Sequence, residues 1–278
     1  MNLNLLQSIV IGFVSGLAEM LPVSAEAHRT LLRTFFGVET EDAVFRLLVH
    51  TACLIALNWH YSDTVLDLRR TNHLMKIPPR RRRRPLEMAS ANTVRLLRSA
   101  VTVMLVFRAG TMALSFIGGK LNLLPIGLVL SGALLLLPAI YRSGNMDARN
   151  MPKGNGLLMG VGGGMGVLPG FSPVAGALSL GQWSGVDRRF ALKFAHILLI
   201  PALGIQMVFD LIDIFMGGAA AFSGFGLLTA LTGAVAAGVG CHYGLKLVED
   251  LARTRGFTVF AYYSWGMALL CFVLFLMI

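Results

Sequence analysis

Glu19, Ser24, Glu26 and His28 crowd around Pro22 in an otherwise apolar stretch of sequence. Ionisable groups inside apolar segments are costly and mark functional sites. Glu19 and Ser24 stand five residues apart across the proline. A helix that breaks there can turn both, with His28, onto one pocket, where a carboxylate and an imidazole exchange protons. A second apolar stretch is broken by Pro169 and Pro173 and carries Ser172 and Ser179. A broken helix terminus offers free backbone N–H groups to an anion. Other polar residues read as structural. His50 and His196, each near the start of an apolar run, are expected to be hydrogen-bonded packing residues. Arg108 and Lys193 are expected to snorkel or pair. Asp210 and Asp213 are expected to be solvated at the outer end of their helix.

The elements that hold these residues must lie in a membrane. Of 278 residues, 55% are apolar and 14% charged, against about 45–50% and about 25% in soluble domains. A single water-soluble globule is excluded. Spans of roughly 20 residues are expected from Phe45 to Tyr61, Leu97 to Ile117, Leu121 to Tyr141, Phe190 to Phe215, Phe222 to Leu247 and Phe257 to Ile278, with a short turn over Gly118 to Lys120. The segments broken at Pro22 and at Pro169 are too interrupted for straight spans. They read as helix-break-helix elements that dip into the bilayer, their backbone covered by protein. The predicted fold is all-α: one polytopic membrane domain over residues 1–278, with two re-entrant broken-helix segments and about six full spans. Leu-Pro breaks followed by Phe and His recur at an offset near 146 residues. That offset predicts an inverted-topology repeat, residues 1–117 against 150–278, with a site where the paired breaks meet.

The net charge of +10 is concentrated between Arg69 and Arg84, around the unbroken run Arg80 to Arg84. Beside hydrophobic spans, a basic segment is a topology signal rather than a nucleic-acid patch. Residues 62–95 are therefore expected to be a cytoplasmic loop, and no nucleic-acid partner is expected. Cys53, Cys241 and Cys271 all sit in apolar context, without the spacing of a zinc site or a disulfide framework.

The run from Gly12 to His28, Gly-Phe-Val-Ser-Gly-Leu-Ala-Glu-Met-Leu-Pro-Val-Ser-Ala-Glu-Ala-His, resembles the first signature of the bacterial undecaprenyl-diphosphate phosphatases, the bacitracin-resistance family. Leu168-Pro169-Gly170-Phe171-Ser172-Pro173-Val174 resembles its second, whose usual form is Pro-Gly-x-Ser-Arg-Ser-x-x-Thr. The likeness covers nearly the whole chain, including Phe260-Ala261-Tyr262-Tyr263 at the start of the last span. It implies a multi-pass enzyme of the bacterial plasma membrane that removes the terminal phosphate of a polyprenyl diphosphate, recycling the lipid carrier of cell-wall synthesis. Carried over by position, Glu19, Ser24 and His28 are the implied catalytic residues. Ser172 and Gly170 are implied phosphate contacts, and Glu19 is the implied ligand of a divalent cation, Mg²⁺ or Ca²⁺. The implied partners are the polyprenyl diphosphate lipid and the bilayer, with a homodimer as the assembly.

The chain departs from the family pattern where the pattern carries charge. Ser15 stands in place of an acidic residue, Ala25 of a serine, Pro173 of the arginine, Val174 of a serine, Ala177 of a threonine, and Ser264 of an arginine after the last tyrosine. A dedicated arginine contributes about 10³ to 10⁵ in rate in phosphoryl-transfer systems, and Pro173 supplies neither a charge nor an N–H. Arg29, next to His28, is the candidate substitute cation. Two readings follow: a phosphatase with a rebuilt site, or a catalytically lapsed relative that binds or transports a polyprenyl phosphate or another amphipathic lipid.

Overall fold

A computed structural model describes residues 3–38, 42–82, 85–117, 124–140, 144–217, 224–254 and 256–277. The described residues form α1 (Leu5–Met20), α2 (Ala25–Phe35), α3 (Ala43–His60), α4 (Ser62–Lys76), α5 (Met88–Ile117), α6 (Leu124–Ile140), α7 (Lys153–Gly164), α8 (Pro173–Trp183), α9 (Arg188–Gly217), α10 (Gly224–Arg253) and α11 (Thr258–Met277). The protein is an all-α polytopic membrane protein. Within α3, α9 and α10 lie stretches long and apolar enough to cross a bilayer, while α1, α6 and α11 hold shorter apolar ones. α5 has the length for a crossing, 30 residues, and carries Arg95, Arg98 and Arg108. The expected turn over Gly118 to Lys120 lies outside the described residues.

α1 has 16 residues and α2 has 11. At 1.5 Å per residue, neither spans a hydrocarbon core of about 30 Å. α1 starts on a capping box in which Asn4 and Gln7 exchange hydrogen bonds. It stops where Leu21 turns extended, at ψ 157, the conformation imposed on a residue before proline. α7 and α8 repeat the plan. Leu168 is likewise extended before Pro169, and α8 restarts on Ser172 with Pro173 in its first turn. Each broken pair is followed by long helices: α3, α5 and α6 after the first, α9, α10 and α11 after the second.

The sets are interleaved: α1 packs mainly on α10, α7 on α5 and α8, and α6 on α11. α1 approaches α10 closely: a Cβ built on Gly16 would stand 2.0 Å from the Ala237 carbonyl oxygen and one on Gly12 would stand 2.1 Å from that of Gly233. Small residues let helix backbones meet this closely in a membrane. Between residues 62 and 95 the chain is largely helical, where a loop was expected. α4 follows α3 after one residue and buries Leu68 and Thr71. Ser90 at the start of α5 donates to Asp67 at 2.6 Å, and Arg98 donates to Asn72. Part of the basic run, Arg83 and Arg84, lies outside the described residues.

Gly16→Leu is expected to destabilise the fold by about 1–3 kcal/mol or more through overpacking, read as a lowered Tm in detergent. Gly238→Ala, where an added Cβ meets nothing within 4 Å, should leave the Tm in place.

Candidate active site

Ser24 caps α2, its Oγ accepting from the Ala27 N–H at 3.2 Å, and Ser172 caps α8 in the same way through Ala175 at 3.2 Å. Both caps leave a helix N-terminus, the positive end of the peptide dipoles, turned to the same place. The breaks touch: the Gly170 N–H donates to Glu26 Oε2 at 3.1 Å. Gly170 has φ +76, and a Cβ there would lie 2.1 Å from the Leu124 carbonyl oxygen, so only glycine fits. Next to it, the Ser172 N–H donates to Ser131 Oγ of α6 at 3.0 Å.

Between the breaks lies a cavity of about 300 Å³. Three guanidiniums line it, Arg29 from α2, Arg46 from α3 and Arg108 from α5, with the carboxylates of Glu19 and Glu26 and the imidazole of His50. Phe171 and Pro173 form the wall contributed by the second break, and Leu199, Gln206 and Phe209 that of α9. Behind Arg46 and His50 stands Asp210. Its Oδ1 accepts from Arg46 Nε at 2.5 Å and its Oδ2 from His50 Nδ1 at 2.6 Å. Arg46 also donates to Asp213.

Of the residues singled out in the sequence, Glu19, Glu26, Arg29, His50 and Arg108 line the cavity. Ser24 and Ser172 stand at its edge as helix caps, and the Gly170 N–H is occupied by Glu26. His28 lies elsewhere. Its Nδ1 donates to the Ser24 carbonyl at 2.6 Å, its Nε2 accepts from the Tyr263 hydroxyl at 2.6 Å, and its ring stacks on Tyr263 with centroids 5.6 Å apart. It is not among the residues that line the cavity, and it meets Tyr263 of α11. Ser15, in place of an acidic residue, is buried with its Oγ donating to the Ile11 carbonyl at 2.6 Å.

The structure corrects the expectation for Asp210. Its side chain is fully buried, whereas Asp213, three residues on, is 55% exposed. A buried carboxylate is tolerated where paired and hydrogen-bonded, and two donors four residues apart on α3 meet it. Arg46 escaped notice in the sequence because its partner is 164 residues away. The one available signal was the spacing of Arg46 and His50, which puts both on one helix face. His196 is the packing residue expected, its Nε2 donating to the Met20 carbonyl at 3.0 Å and its Nδ1 lying 3.0 Å from the Tyr61 hydroxyl, which also donates to Glu249. Cys53 and Cys241 are buried with their sulfurs 3.2 Å apart.

Among the described residues, no group of three or more His, Cys, Asp or Glu side chains could hold a metal ion alone. Mg²⁺, however, is commonly bound by one or two carboxylates together with substrate phosphates. Glu19 and Glu26 line one cavity and fit that shared arrangement.

The family model for bacitracin resistance protein BacA matches residues 8–270. The chain is 29% identical over 277 residues to an undecaprenyl-diphosphatase of Methanobrevibacter smithii, covering 98% of each chain. It is also 29% identical over 272 residues to an undecaprenyl-diphosphatase of Carboxydothermus hydrogenoformans, again covering 98% of each. With one of Treponema denticola it shares 24% over 265 residues, 94% of each. A match this long, over a chain whose two Leu-Pro breaks close on one charged cavity, shows that the protein belongs to the bacitracin resistance protein BacA family.

Proposed function

We propose that this chain is an undecaprenyl-diphosphate phosphatase that cleaves the terminal phosphate from the lipid diphosphate and returns the monophosphate carrier to cell-wall synthesis. The observation that carries the proposal is the convergence of Arg29, Arg46 and Arg108 on one cavity between two capped helix N-termini. Phosphoryl transfer needs positioning and charge stabilisation more than covalent chemistry. Three guanidiniums from α2, α3 and α5 supply the charge that Pro173 does not. Arg29 is thereby one of a set rather than a lone substitute.

Charge counting supports a metal-bound substrate. Arg29, Arg46 and Arg108 are balanced by Glu19, Glu26 and Asp210, so a diphosphate entering with two or more negative charges needs a further cation. A divalent ion held by Glu19 and Glu26 together with phosphate oxygens would neutralise that charge. The chain's own residues then bind and orient: the arginines grip the diphosphate oxygens, and the N-termini of α2 and α8 face them. Apolar α9 residues, Leu199 and Leu203, limit water around the phosphoanhydride. Ser24, Ser172 and His28 act at one remove, by fixing the two helix starts and the face of α2 that carries Glu26 and Arg29.

The basic ends of α9 and α10 and the basic α4 segment lie at one end of the long helices, Arg46 and Asp213 at the other. By the positive-inside rule, the protein sits in the bacterial plasma membrane with the α4 segment cytoplasmic and the cavity mouth on the opposite side. A homodimer is the assembly proposed for it.

Purified protein should release inorganic phosphate from C55 diphosphate, and Arg108→Ala should lower kcat/KM by about 10²- to 10³-fold. No release above a detergent blank would leave the binding or transport reading in its place. Pro173→Arg should change the rate by less than about tenfold, since an arginine is worth about 10³ to 10⁵ only where none is already in reach. A large gain would mean that the three arginines do not replace it. Chelation should suppress phosphate release, and excess Mg²⁺ or Ca²⁺ should restore it. Activity indifferent to chelator would exclude the shared metal.

A further inference from the structure

We propose that His50, held by the buried carboxylate of Asp210, is the residue that takes the proton from the attacking water, an inference that rests on the phosphatase reading above. His50 lines the cavity from α3, on the same helix face as Arg46 four residues earlier. The Asp210 carboxylate, from α9, accepts from both: Arg46 Nε on one oxygen at 2.5 Å, His50 Nδ1 on the other at 2.6 Å. An ionised carboxylate can only accept, so the proton of the neutral imidazole sits on Nδ1 and the lone pair on Nε2. The Nδ1 edge of the ring is turned to Asp210, which leaves the Nε2 edge for the cavity. A carboxylate that fixes tautomer and ring orientation, and stabilises the imidazolium once formed, is the logic by which histidine is made a general base.

The other groups in the cavity are less suited to this step. The ring nitrogens of His28 are engaged by Ser24 and Tyr263. Glu19 and Glu26 stand among three guanidiniums and are the carboxylates proposed above to share a cation with the substrate. The charged groups around His50 are Arg46 on its own helix, Glu19 from α1, Glu26 and Arg29 from α2, Arg108 from α5, and Asp210 with Asp213 from α9. From α10, Cys241 meets Cys53, one turn further along α3. α4 turns away at the far end of α3.

In the step, a water oxygen forms a bond to the terminal phosphorus while its proton passes to His50 Nε2. The bond from that phosphorus to the bridging oxygen breaks, and its electron pair stays on the polyprenyl monophosphate. Inorganic phosphate is the second product, and the imidazolium returns its proton to solvent. Asp210 is a positioning residue here and does not itself carry the proton.

The test is the pH dependence of kcat and KM on C55 diphosphate for the full-length protein in detergent, beside binding of a non-hydrolysable C55 methylenediphosphonate. His50→Gln keeps an N–H for Asp210 but has no basic nitrogen. It should lower kcat by about 10²- to 10⁴-fold, abolish the acidic limb of the kcat profile, and leave KM and analogue binding close to wild type. Asp210→Asn should lower kcat and displace that limb instead of removing it. Unchanged analogue binding shows that either variant is folded. A His50→Gln protein with kcat within about threefold of wild type, or one whose loss is confined to KM with the limb retained, overturns the assignment while leaving the phosphatase reading intact. A wild-type protein that binds the analogue yet releases no phosphate overturns both.

Discussion

Everything at the centre of this protein depends on satisfying the backbone where two helices break inside apolar surroundings. A free N–H or carbonyl in such a place costs several kcal/mol, so each break survives only with partners built in. At the first, Ser24 caps α2 and His196 holds the Met20 carbonyl. At the second, Ser172 caps α8, Ser131 takes the Ser172 N–H, and Glu26 takes that of Gly170. The last bond joins the breaks. Because it does, two short helices from distant parts of the chain start at one point, and the cavity lies between them.

A second constraint is charge. Isolated ions in a protein interior carry penalties of several kcal/mol each, and this site gathers six. The arrangement is tolerable because the signs balance and because the pairs are cross-linked between elements: Asp210 of α9 against Arg46 and His50 of α3. Removing Asp210 would take one carboxylate partner from Arg46, leaving it Asp213, as well as release an imidazole. The polar cluster thus fixes the rotation of α3 against α9, a structural duty performed by the same groups that face the cavity. An apolar core would hold these helices together but would not register them.

The fold was largely legible in the sequence because its signals are local. A proline after a leucine, a serine two or three residues on, and an apolar run to either side specify a break whatever surrounds it. Glu19 and Arg29 were legible for the same reason, lying beside the first break. What escaped was everything decided across the chain. Asp210 reads as solvated until Arg46 and His50 are found opposite it. Arg108, in the middle of a long helix, reads as a snorkelling side chain until α2 and α3 bring their own arginines to its level. His28 sits in the right sequence position, yet its rotation about α2 is set by Tyr263 of α11, 235 residues away. Residues 62–95, rich in arginine and proline, hide a helix whose stability comes from α5 rather than from its own composition.

Pro173 shows how a charged signature residue can be lost without losing the fold. At the first position of a helix the proline's missing N–H breaks no intrahelical bond, and its fixed φ suits the start of the helix. Behind it, Val174, Ala175, Ala177, Leu178 and Ser179 are buried against neighbouring helices, so the substitutions on α8 are those of a packing face. The second break keeps its shape, its cap and its dipole, and gives up its ionisable groups. The charges stand instead on α1, α2, α3 and α5. These are elements whose positions the second break still fixes, because Gly170 and Glu26 hold the two breaks together. A site so divided can move its cations from one half to the other, provided that the backbone junction between the halves is kept.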